Sequence, residues 1–233
     1  MSVVFISGAS RGLGNALAAE YVARGDQVYC GVRSPDAAVA GIPVALDVTD
    51  NDSVAQAVAS VVERAGRIDL LVNNAGIHLA GPLLALEIDA FKKILDVNVL
   101  GAWRLTRAAR PYLATEATVV MISSLSGLVG PANDGAYATS KFALEGMSQS
   151  LAGELGPEGI RVLIFEPSAV ATGFAGATHG DPPELVARDI VNVIASDDAP
   201  FRNPLGNVGQ RVAEALRIDD GSRASALFAS FAK

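Results

Sequence analysis

The amino-terminal stretch from residue 3 to 14 reads Val-Val-Phe-Ile-Ser-Gly-Ala-Ser-Arg-Gly-Leu-Gly. Its first five residues are apolar or small on both faces, which is typical of a buried strand in a parallel sheet. Three glycines, Gly8, Gly12 and Gly14, follow where the chain turns into a helix. Free N–H groups and the positive end of the helix dipole meet at such a turn, which suits a pyrophosphate. The stretch predicts a strand, an anion-binding turn and a helix.

The same alternation of short apolar runs and longer helical segments continues along the chain. Further strands are predicted at Gln27–Val32, Pro43–Leu46, Ile68–Val72, Thr118–Ile122 and Ile160–Phe165. Helices are predicted at Asn15–Ala23, Asp52–Ala65 (capped by Asp50 or Asn51), Leu86–Leu113 and Tyr137–Leu155. Strand alternating with helix predicts an α/β fold: a doubly wound, mainly parallel sheet with helices on both faces, in a single domain.

The rhythm loosens after Phe165. Residues Thr172–Pro183 contain several glycines and prolines and predict a loop. We expect a lid, because the loop follows the carboxyl end of a strand, where doubly wound sheets bind ligands; a simple connection is the alternative. Helices are predicted from Glu184 to about Ala195 and around Val208–Arg217, and the tail Asp197–Lys233 has no predicted role.

Composition restricts the possible functions. The chain has 233 residues, of which 50% are hydrophobic and 18% charged, with a net charge of −7. This predicts one well-buried core and argues against binding nucleic acid or an acidic membrane. The single cysteine, Cys30, excludes an intrachain disulfide, and no apolar run is long enough to span a membrane, so we expect a cytoplasmic protein. His78 and His179 lie far apart, and no His/Cys cluster predicts a metal site.

Tyr137 and Lys141 form the main candidate for catalysis. They lie four residues apart, so both side chains share one face of the predicted helix, and the ammonium group would favour the phenolate. Tyr137 could then act as an acid or base nearer neutral pH. Ser124, at the end of another strand, can offer its hydroxyl to the same substrate oxygen. The alternative is an ordinary amphipathic helix with Tyr137 at the edge of the core.

Four motifs in order resemble those of the short-chain dehydrogenase/reductases: the glycine turn, Asn73-Asn74-Ala75-Gly76, Ser124, and Tyr137 with Lys141. The resemblance covers about Val3–Thr172. It implies a Rossmann-type fold and NAD(P)-dependent oxidation of an alcohol or reduction of a carbonyl. It also implies a cofactor-binding part over about residues 1–120 and a catalytic and substrate part over about 121–233.

The resemblance assigns roles to individual residues. Asn98 would hold a water that links Lys141 to solvent, the alternative being an asparagine that bonds backbone groups in a bent helix. Asp47 would accept a hydrogen bond from adenine, the alternative being a helix cap. The implied cofactor contacts are Gly8, Ser10, Arg11, Gly12, Leu13, Gly14, Arg33, Asp47, Val48, Asn74, Ala75, Gly76, Tyr137, Lys141, Pro167, Ser168, Val170 and Thr172.

Charge at the end of the second strand favours one cofactor. The strand ends Gly31-Val32-Arg33-Ser34, with no carboxylate to accept the ribose 2′-OH of NAD. Arg33, with Arg11 from the glycine turn, could instead hold a 2′-phosphate. We expect NADP(H) rather than NAD(H), unless both arginines are merely solvated surface charges.

Two departures from the family pattern need structural answers. Ser7 replaces a threonine but keeps the hydroxyl, whereas Ser168 replaces the usual glycine after Pro167 and would be strained at positive φ. The apolar or small residues near the cleft suggest a modestly sized, fairly apolar alcohol or carbonyl substrate. The family also implies a homodimer or homotetramer, and a non-catalytic NAD(P)-binding sensor is the alternative to an enzyme.

Overall fold

The computed structural model describes residues 1–176 and 179–216. Within them, seven strands form one sheet in which every pair is parallel, in the order β3-β2-β1-β4-β5-β6-β7. The strands are β1 Val3–Ser7, β2 Gln27–Val32, β3 Ile42–Ala45, β4 Ile68–Asn73, β5 Leu113–Ile122, β6 Arg161–Glu166 and β7 Arg202–Pro204. The doubly wound Rossmann-type sheet in a single domain is therefore confirmed.

Helices cover both faces of the sheet. They are α1 Gly12–Ala23, α2 Asn51–Ala65, α3 Ile88–Leu95, α4 Gly101–Ala109, α5 Gly135–Leu155, α6 Pro183–Ile194 and α7 Gly206–Leu216. Helices α1 and α6 pack together on one face, where they bury Leu17 and Ile190. Helices α2, α4 and α5 bury their apolar residues on the other face, including Val58, Leu105 and Leu144. Since both faces are covered, the strands are almost wholly apolar.

Local signals explain how helix α2 begins and ends. Asp50 is its N-cap, and one carboxylate oxygen accepts hydrogen bonds from the backbone N–H groups of Asp52 and Ser53. Gly66 ends the helix in the left-handed conformation at φ 78°. Asp50, rather than Asp47, is therefore the helix-capping aspartate in this region.

The predicted long helix Leu86–Leu113 differs from the structure at its ends and in one internal turn. Helices α3 and α4 are separated by a π-helical turn, Asp96–Leu100, and Leu113 already belongs to β5. At the junction Gly101 packs against Val48, because a Cβ at residue 101 would lie 2.7 Å from a Val48 methyl carbon. The π-helical turn thus ends next to the loop after β3, which is a tertiary contact that apolar spacing does not encode.

Two further differences concern the carboxyl-terminal part. Strand β7, Arg202–Pro204, lies in the tail for which no strand was predicted. The last helix is described as Gly206–Leu216, so Arg217 of the predicted range lies outside the described residues, as do residues 177 and 178 of the predicted lid. Across residues 1–176 and 179–216, no helix has both the length and the apolar character that crossing a membrane requires.

Candidate active site

The glycine turn after β1 needs glycine for conformation and for space. Gly8 and Gly12 have φ values of 66° and 58°, which L side chains rarely adopt. A Cβ at residue 8 would lie 2.8 Å from the Cα of Ala75, and one at residue 12 would lie 2.8 Å from the Cβ of Thr172. The turn is therefore packed directly between the loop after β4 and the segment after β6.

The start of helix α1 suits an anionic ligand. The N-cap residue Arg11 makes no side-chain capping bond, and the first turn contains no acidic residue. The backbone N–H groups of Gly12, Leu13 and Gly14 thus begin a helix whose positive dipole end is not offset by a carboxylate of its own first turn. The exposed Arg11 and Ser10 flank this turn. The turn fits the pyrophosphate of a dinucleotide.

Ser7 links the glycine turn to the loop after β4. Its hydroxyl donates to the Val72 carbonyl at 3.3 Å and accepts from the N–H groups of Asn74 and Ala75 at 3.0 and 3.1 Å. The Asn74 amide donates back to the Ser7 and Gly8 carbonyls, each at 3.0 Å. Serine thus makes these bonds without the threonine methyl group that the family pattern carries.

Tyr137 and Lys141 lie on the same buried face of α5. The Lys141 ammonium nitrogen lies 5.5 Å from the centroid of the Tyr137 ring and donates to the Ile122 carbonyl, at the end of β5, at 2.7 Å. The predicted pairing of the two side chains is therefore present, and it is fixed against the carboxyl end of the central sheet.

The pKa of Tyr137 is raised, whereas the sequence predicted that the Lys141 ammonium would lower it. Burial raises the pKa of Tyr137 to about 12, a hydrogen bond with the Ser124 side chain opposes the rise, and the charge of Asp134 adds to it. Burial also lowers the pKa of Lys141 to about 8, against the attraction of Glu145. Desolvation outweighs the proximity of the ammonium group in the chain by itself.

Ser124 lies beside this pair because of how its own loop is built. It is the N-cap of the 3-10 turn Leu125–Gly127, and its hydroxyl accepts from the Ser126 N–H at 3.1 Å. The next residue, Leu125, donates its N–H to the Pro167 carbonyl at 3.1 Å. The loop after β5 is thus fastened to the segment after β6, and Ser124 faces the Tyr137 hydroxyl.

Asn98 is buried in the π-helical turn between α3 and α4. Its amide exchanges hydrogen bonds with the Ile77 backbone at 2.8 and 2.9 Å and donates to the Ser140 hydroxyl at 3.0 Å. These contacts agree with the structural alternative for Asn98. They also place it against the residue that precedes Lys141, so the geometry accommodates both interpretations.

His78 lines the site. Its side chain is 18% exposed, and its Nε2 lies 2.5 Å from a carboxylate oxygen of Asp134. Its ring centroid lies 4.9 Å from that of Tyr137, and Phe174 packs 6.0 Å from Tyr137. The sequence contained no signal for the His78–Asp134 pair, because the two residues lie 56 positions apart.

The loop after β3 forms the outer part of the cleft. One oxygen of Asp47 accepts from the Thr49 N–H and hydroxyl at 2.9 and 2.7 Å, and these bonds, with the charge of Arg33, lower its pKa. Val48 is held by the Arg104 guanidinium, which donates to its carbonyl at 3.3 Å. Arg33 is exposed at the end of β2, while Arg11 lies near Gly173. The structure thus places the two arginines beside different loops.

The segment after β6 is well anchored. Ser168 lies outside the left-handed region, and its hydroxyl donates to an Asp181 oxygen at 3.3 Å, so serine is not strained there. Val170 forms a bridge with Asp181 that closes the base of the predicted lid. Thr172 then turns back over Gly12 and accepts from the Phe174 N–H at 3.2 Å.

The predicted residues fall into two groups at the carboxyl edge of the sheet. One surrounds Tyr137 and Lys141 and also contains Asn98 and Ser124. The other follows the glycine turn and contains Gly8, Ser10, Arg11, Gly12, Leu13, Gly14, Asn74, Ala75, Gly76, Pro167, Ser168, Val170 and Thr172, with Arg33, Asp47 and Val48 further out. Sequence reasoning did not single out Asp134, the partner of His78, or Glu145 behind Lys141.

Comparison with known proteins identifies a family for this arrangement. The model of the short chain dehydrogenase family matches residues 2–182. An oxidoreductase of Botryotinia fuckeliana, BOA17, is 33% identical over 232 residues, which cover 95% of this chain and 78% of the relative.

Solved structures agree with this match. A short chain dehydrogenase from Burkholderia cenocepacia in complex with NADP superposes with a TM-score of 0.83 at 26% identity, covering 98% of this chain and 96% of the other. A 3-ketoacyl-(acyl-carrier-protein) reductase from Brucella melitensis complexed with NADH gives a TM-score of 0.77 at 25% identity, covering 85% and 92%.

Proposed function

Because this chain belongs to the short-chain dehydrogenase/reductase family, we propose that it transfers hydride between NADP(H) and a small, fairly apolar alcohol or carbonyl compound. Membership of the family by itself indicates that the chain is an oxidoreductase of alcohol or carbonyl groups that uses a nicotinamide cofactor. One observation supports the proposed hydride transfer: the Tyr137 and Ser124 side chains meet beside the Lys141 ammonium at the carboxyl edge of the sheet.

In this proposal Tyr137 is the acid and base. When bound, a nicotinamide dinucleotide supplies or accepts the hydride. In the reducing direction the Tyr137 hydroxyl gives its proton to the substrate oxygen as negative charge develops there. In the oxidising direction the phenolate removes the proton from the alcohol. The pKa of about 12 in the chain by itself means that Tyr137 holds its proton at neutral pH, which suits the acid role.

The other three proposed catalytic residues assist the proton transfer by Tyr137. Ser124 would donate its hydroxyl to the substrate oxygen, because its side chain lies beside the Tyr137 hydroxyl. Lys141 would stabilise the phenolate by its charge and hold the ribose next to the nicotinamide. Asn98 would retain a water between Lys141 and solvent, next to its contact with Ser140.

The residues around the glycine turn fit a dinucleotide, as judged from the uncapped start of α1 and the conformations of Gly8 and Gly12. The pyrophosphate would lie on the first N–H groups of α1, and Asp47 with Val48 would face the adenine. We assign the 2′-phosphate of NADP to Arg33, which is exposed at the end of β2, with Arg11 on the opposite side of the turn.

The substrate would lie between the rings of His78 and Phe174, which flank Tyr137. Two aromatic rings next to the reacting hydroxyl favour an apolar substrate body. In this division of the domain, residues 1–120 bind the cofactor and 121–233 supply catalysis and substrate contacts. Residues 172–183 would be the lid.

Exposed apolar side chains support the proposal of a homodimer or homotetramer. Trp103 on α4 and Phe142 on α5 are 42% and 48% exposed, and Leu100 lies one turn before Trp103. Large apolar residues on neighbouring helices are typical of an interface between subunits. Sedimentation of the purified protein tests this assembly, and fractionation of the source cells tests the cytoplasmic location that we propose.

Tyr137→Phe tests the proposed function. A screen of small carbonyls and secondary alcohols, followed by NADPH absorbance, first identifies a substrate. Tyr137→Phe should then lower turnover at least about a thousandfold while leaving the Kd for NADPH unchanged. Tyr112→Phe, which removes a hydroxyl from an exposed tyrosine, is the matched control and should keep full activity. A fully active Tyr137→Phe variant would remove Tyr137 from its role.

A further inference from the structure

A cluster of buried charged groups lies behind the catalytic pair, on the side away from the glycine turn. Glu145 on α5 and Glu166 on β6 are 5% and 0% exposed. Arg202 on β7 donates its Nε to Glu145 Oε2 at 3.2 Å, and the Asn203 N–H donates to Glu166 Oε2 at 2.9 Å. Among the described residues, the second oxygen of each glutamate has no hydrogen-bond partner. The roles proposed for the four catalytic residues do not use this cluster.

We propose that Glu145 is a positioning residue for the reaction, which keeps the buried side chain of Lys141 in its charged ammonium form. The inference rests on the proposed function, in which the Lys141 charge stabilises the Tyr137 phenolate. Glu145 follows Lys141 by four residues, and both lie on the buried face of α5, so the two side chains are neighbours. Tyr137, Lys141 and Glu145 thus form one row along the helix.

Lys141 needs such a partner because its surroundings oppose its charge. The side chain is buried, and the contact that the structure gives its ammonium is with a neutral carbonyl, that of Ile122 on β5. The other groups that face it are the Tyr137 ring from its own helix and, through Ser140, the Asn98 amide. These groups carry no negative charge while Tyr137 is protonated. Glu145 is the nearby carboxylate whose attraction favours the protonated lysine.

The Arg202 guanidinium on the neighbouring strand favours the ionised form of Glu145. Arg202 faces Glu145 from β7, and its attraction lowers the Glu145 pKa against the larger effect of burial, which raises it. Burial and the Glu145 charge raise the pKa of Glu166 to about 9, so Glu166 is neutral at pH 7. In this proposal one carboxylate, that of Glu145, bonds to Arg202 and attracts the Lys141 ammonium.

The Lys141 ammonium can be observed directly, without a substrate or cofactor. The sequence contains four lysines, Lys92, Lys93, Lys141 and Lys233, so carbon-13-labelled lysine gives few NMR signals, and Lys141→Arg assigns the one of interest. Following the Cε shift against pH gives the midpoint of Lys141, expected near its pKa of about 8. This midpoint is a property that a purely structural role of Glu145 would not move.

Glu145→Gln should lower the Lys141 midpoint by about one pH unit, because an adjacent buried charge has been removed. Glu166 can partly replace it, since loss of the Glu145 charge lowers the Glu166 pKa. The double variant Glu145→Gln/Glu166→Gln should therefore show the larger fall. Glu166→Gln alone and Glu154→Gln, an exposed glutamate on the same helix, should leave the midpoint within about 0.3 units.

A fall of about 0.5 units or more in the double variant supports the proposal, and a smaller fall or a rise overturns it. If Glu145→Gln fails to fold, carbon-13-labelled glutamate in the unmodified chain decides the matter. Glu145 must lose its proton at a lower pH than Lys141, and a Glu145 that stays protonated through the Lys141 midpoint overturns the proposal. Failure of the proposed function would instead appear as an active Tyr137→Phe variant, which this titration does not involve.

Discussion

His78 Nε2 lies 2.5 Å from Asp134 Oδ1, and the His78 ring packs against the Tyr137 ring with 4.9 Å between their centroids. Asp134 also accepts from the Ser126 hydroxyl at 3.0 Å, on the same loop as Ser124. The acidic residue just before α5 thus holds one wall of the cleft while its charge raises the pKa of Tyr137. Asp134 therefore affects both the shape of the cleft and the acidity of Tyr137.

Removing the Asp134 charge should make Tyr137 a stronger acid. In Asp134→Asn, the pKa of Tyr137 should fall by a few tenths to about one unit, because its ionised form no longer meets a nearby carboxylate. Alcohol oxidation rises with pH as the phenolate forms, so the rising limb of the kcat/KM profile should move to lower pH. Asp189→Asn, an exposed change on α6, should leave the limb in place. A rising limb that keeps its pH or moves to higher pH in Asp134→Asn would contradict this effect of the Asp134 charge.

Arg33 should determine the choice of cofactor. Arg33→Ala should raise the Kd for NADPH about tenfold or more and leave the Kd for NADH nearly unchanged, because only NADP carries the 2′-phosphate. Titrations followed by the nicotinamide fluorescence measure the Kd for NADPH and the Kd for NADH. Arg24→Ala, at the far end of α1, is the control for general loss of positive charge. An unmodified chain that prefers NADH would reject the assignment.

Gly12→Ala should damage the cofactor site beyond the strain in the backbone. The new Cβ would lie 2.8 Å from the Thr172 Cβ, so the segment after β6 must move away from the glycine turn. Gly25→Ala is a close match, since its φ is 85° but a Cβ there meets nothing within 4 Å. Both variants should lose about 1 kcal/mol in the free energy of unfolding from positive φ.

Cofactor binding should separate these two variants. Gly12→Ala should weaken the Kd for NADPH at least about tenfold, because the turn that receives the pyrophosphate is displaced. Gly25→Ala should retain the Kd of the unmodified chain. Equal affinities in the two variants would show that the approach of Thr172 is unimportant for binding.

Glu166 should make the protein less stable as pH rises. Its folded pKa of about 9 exceeds the ordinary value of 4.5, so between these values the folded chain holds a proton that the unfolded chain has released. The contribution is complete below about pH 4.5 and is lost as pH rises, by at most about 1.4 kcal/mol per unit. Urea unfolding from pH 6 to 9 should give a flatter dependence for Glu166→Gln than for the unmodified chain. An equal slope would mean that Glu166 is ionised in the folded protein.

More of the fold than of the site could be predicted from the sequence, for physical reasons. Alternating apolar runs and helical spacing predicted six of the seven described strands, since a fully covered parallel sheet leaves a strong apolar signal. The seventh, Arg202–Pro204, is three residues long and carries no such pattern. The π-helical turn within the helical segment from Leu86 was not predicted, because each flanking helix keeps its own apolar spacing.

What the sequence by itself determined is the order of the motifs, and with it the family, the sheet and the candidates Ser124, Tyr137 and Lys141. Their chemistry is encoded locally, in residue types at short spacing. Only the tertiary structure decided their protonation and their neighbours. Burial raises the pKa of Tyr137 and lowers that of Lys141, and it brings His78 to Asp134 across 56 positions. Desolvation and long-range pairing depend on the packed interior as a whole, which no short stretch of the chain specifies.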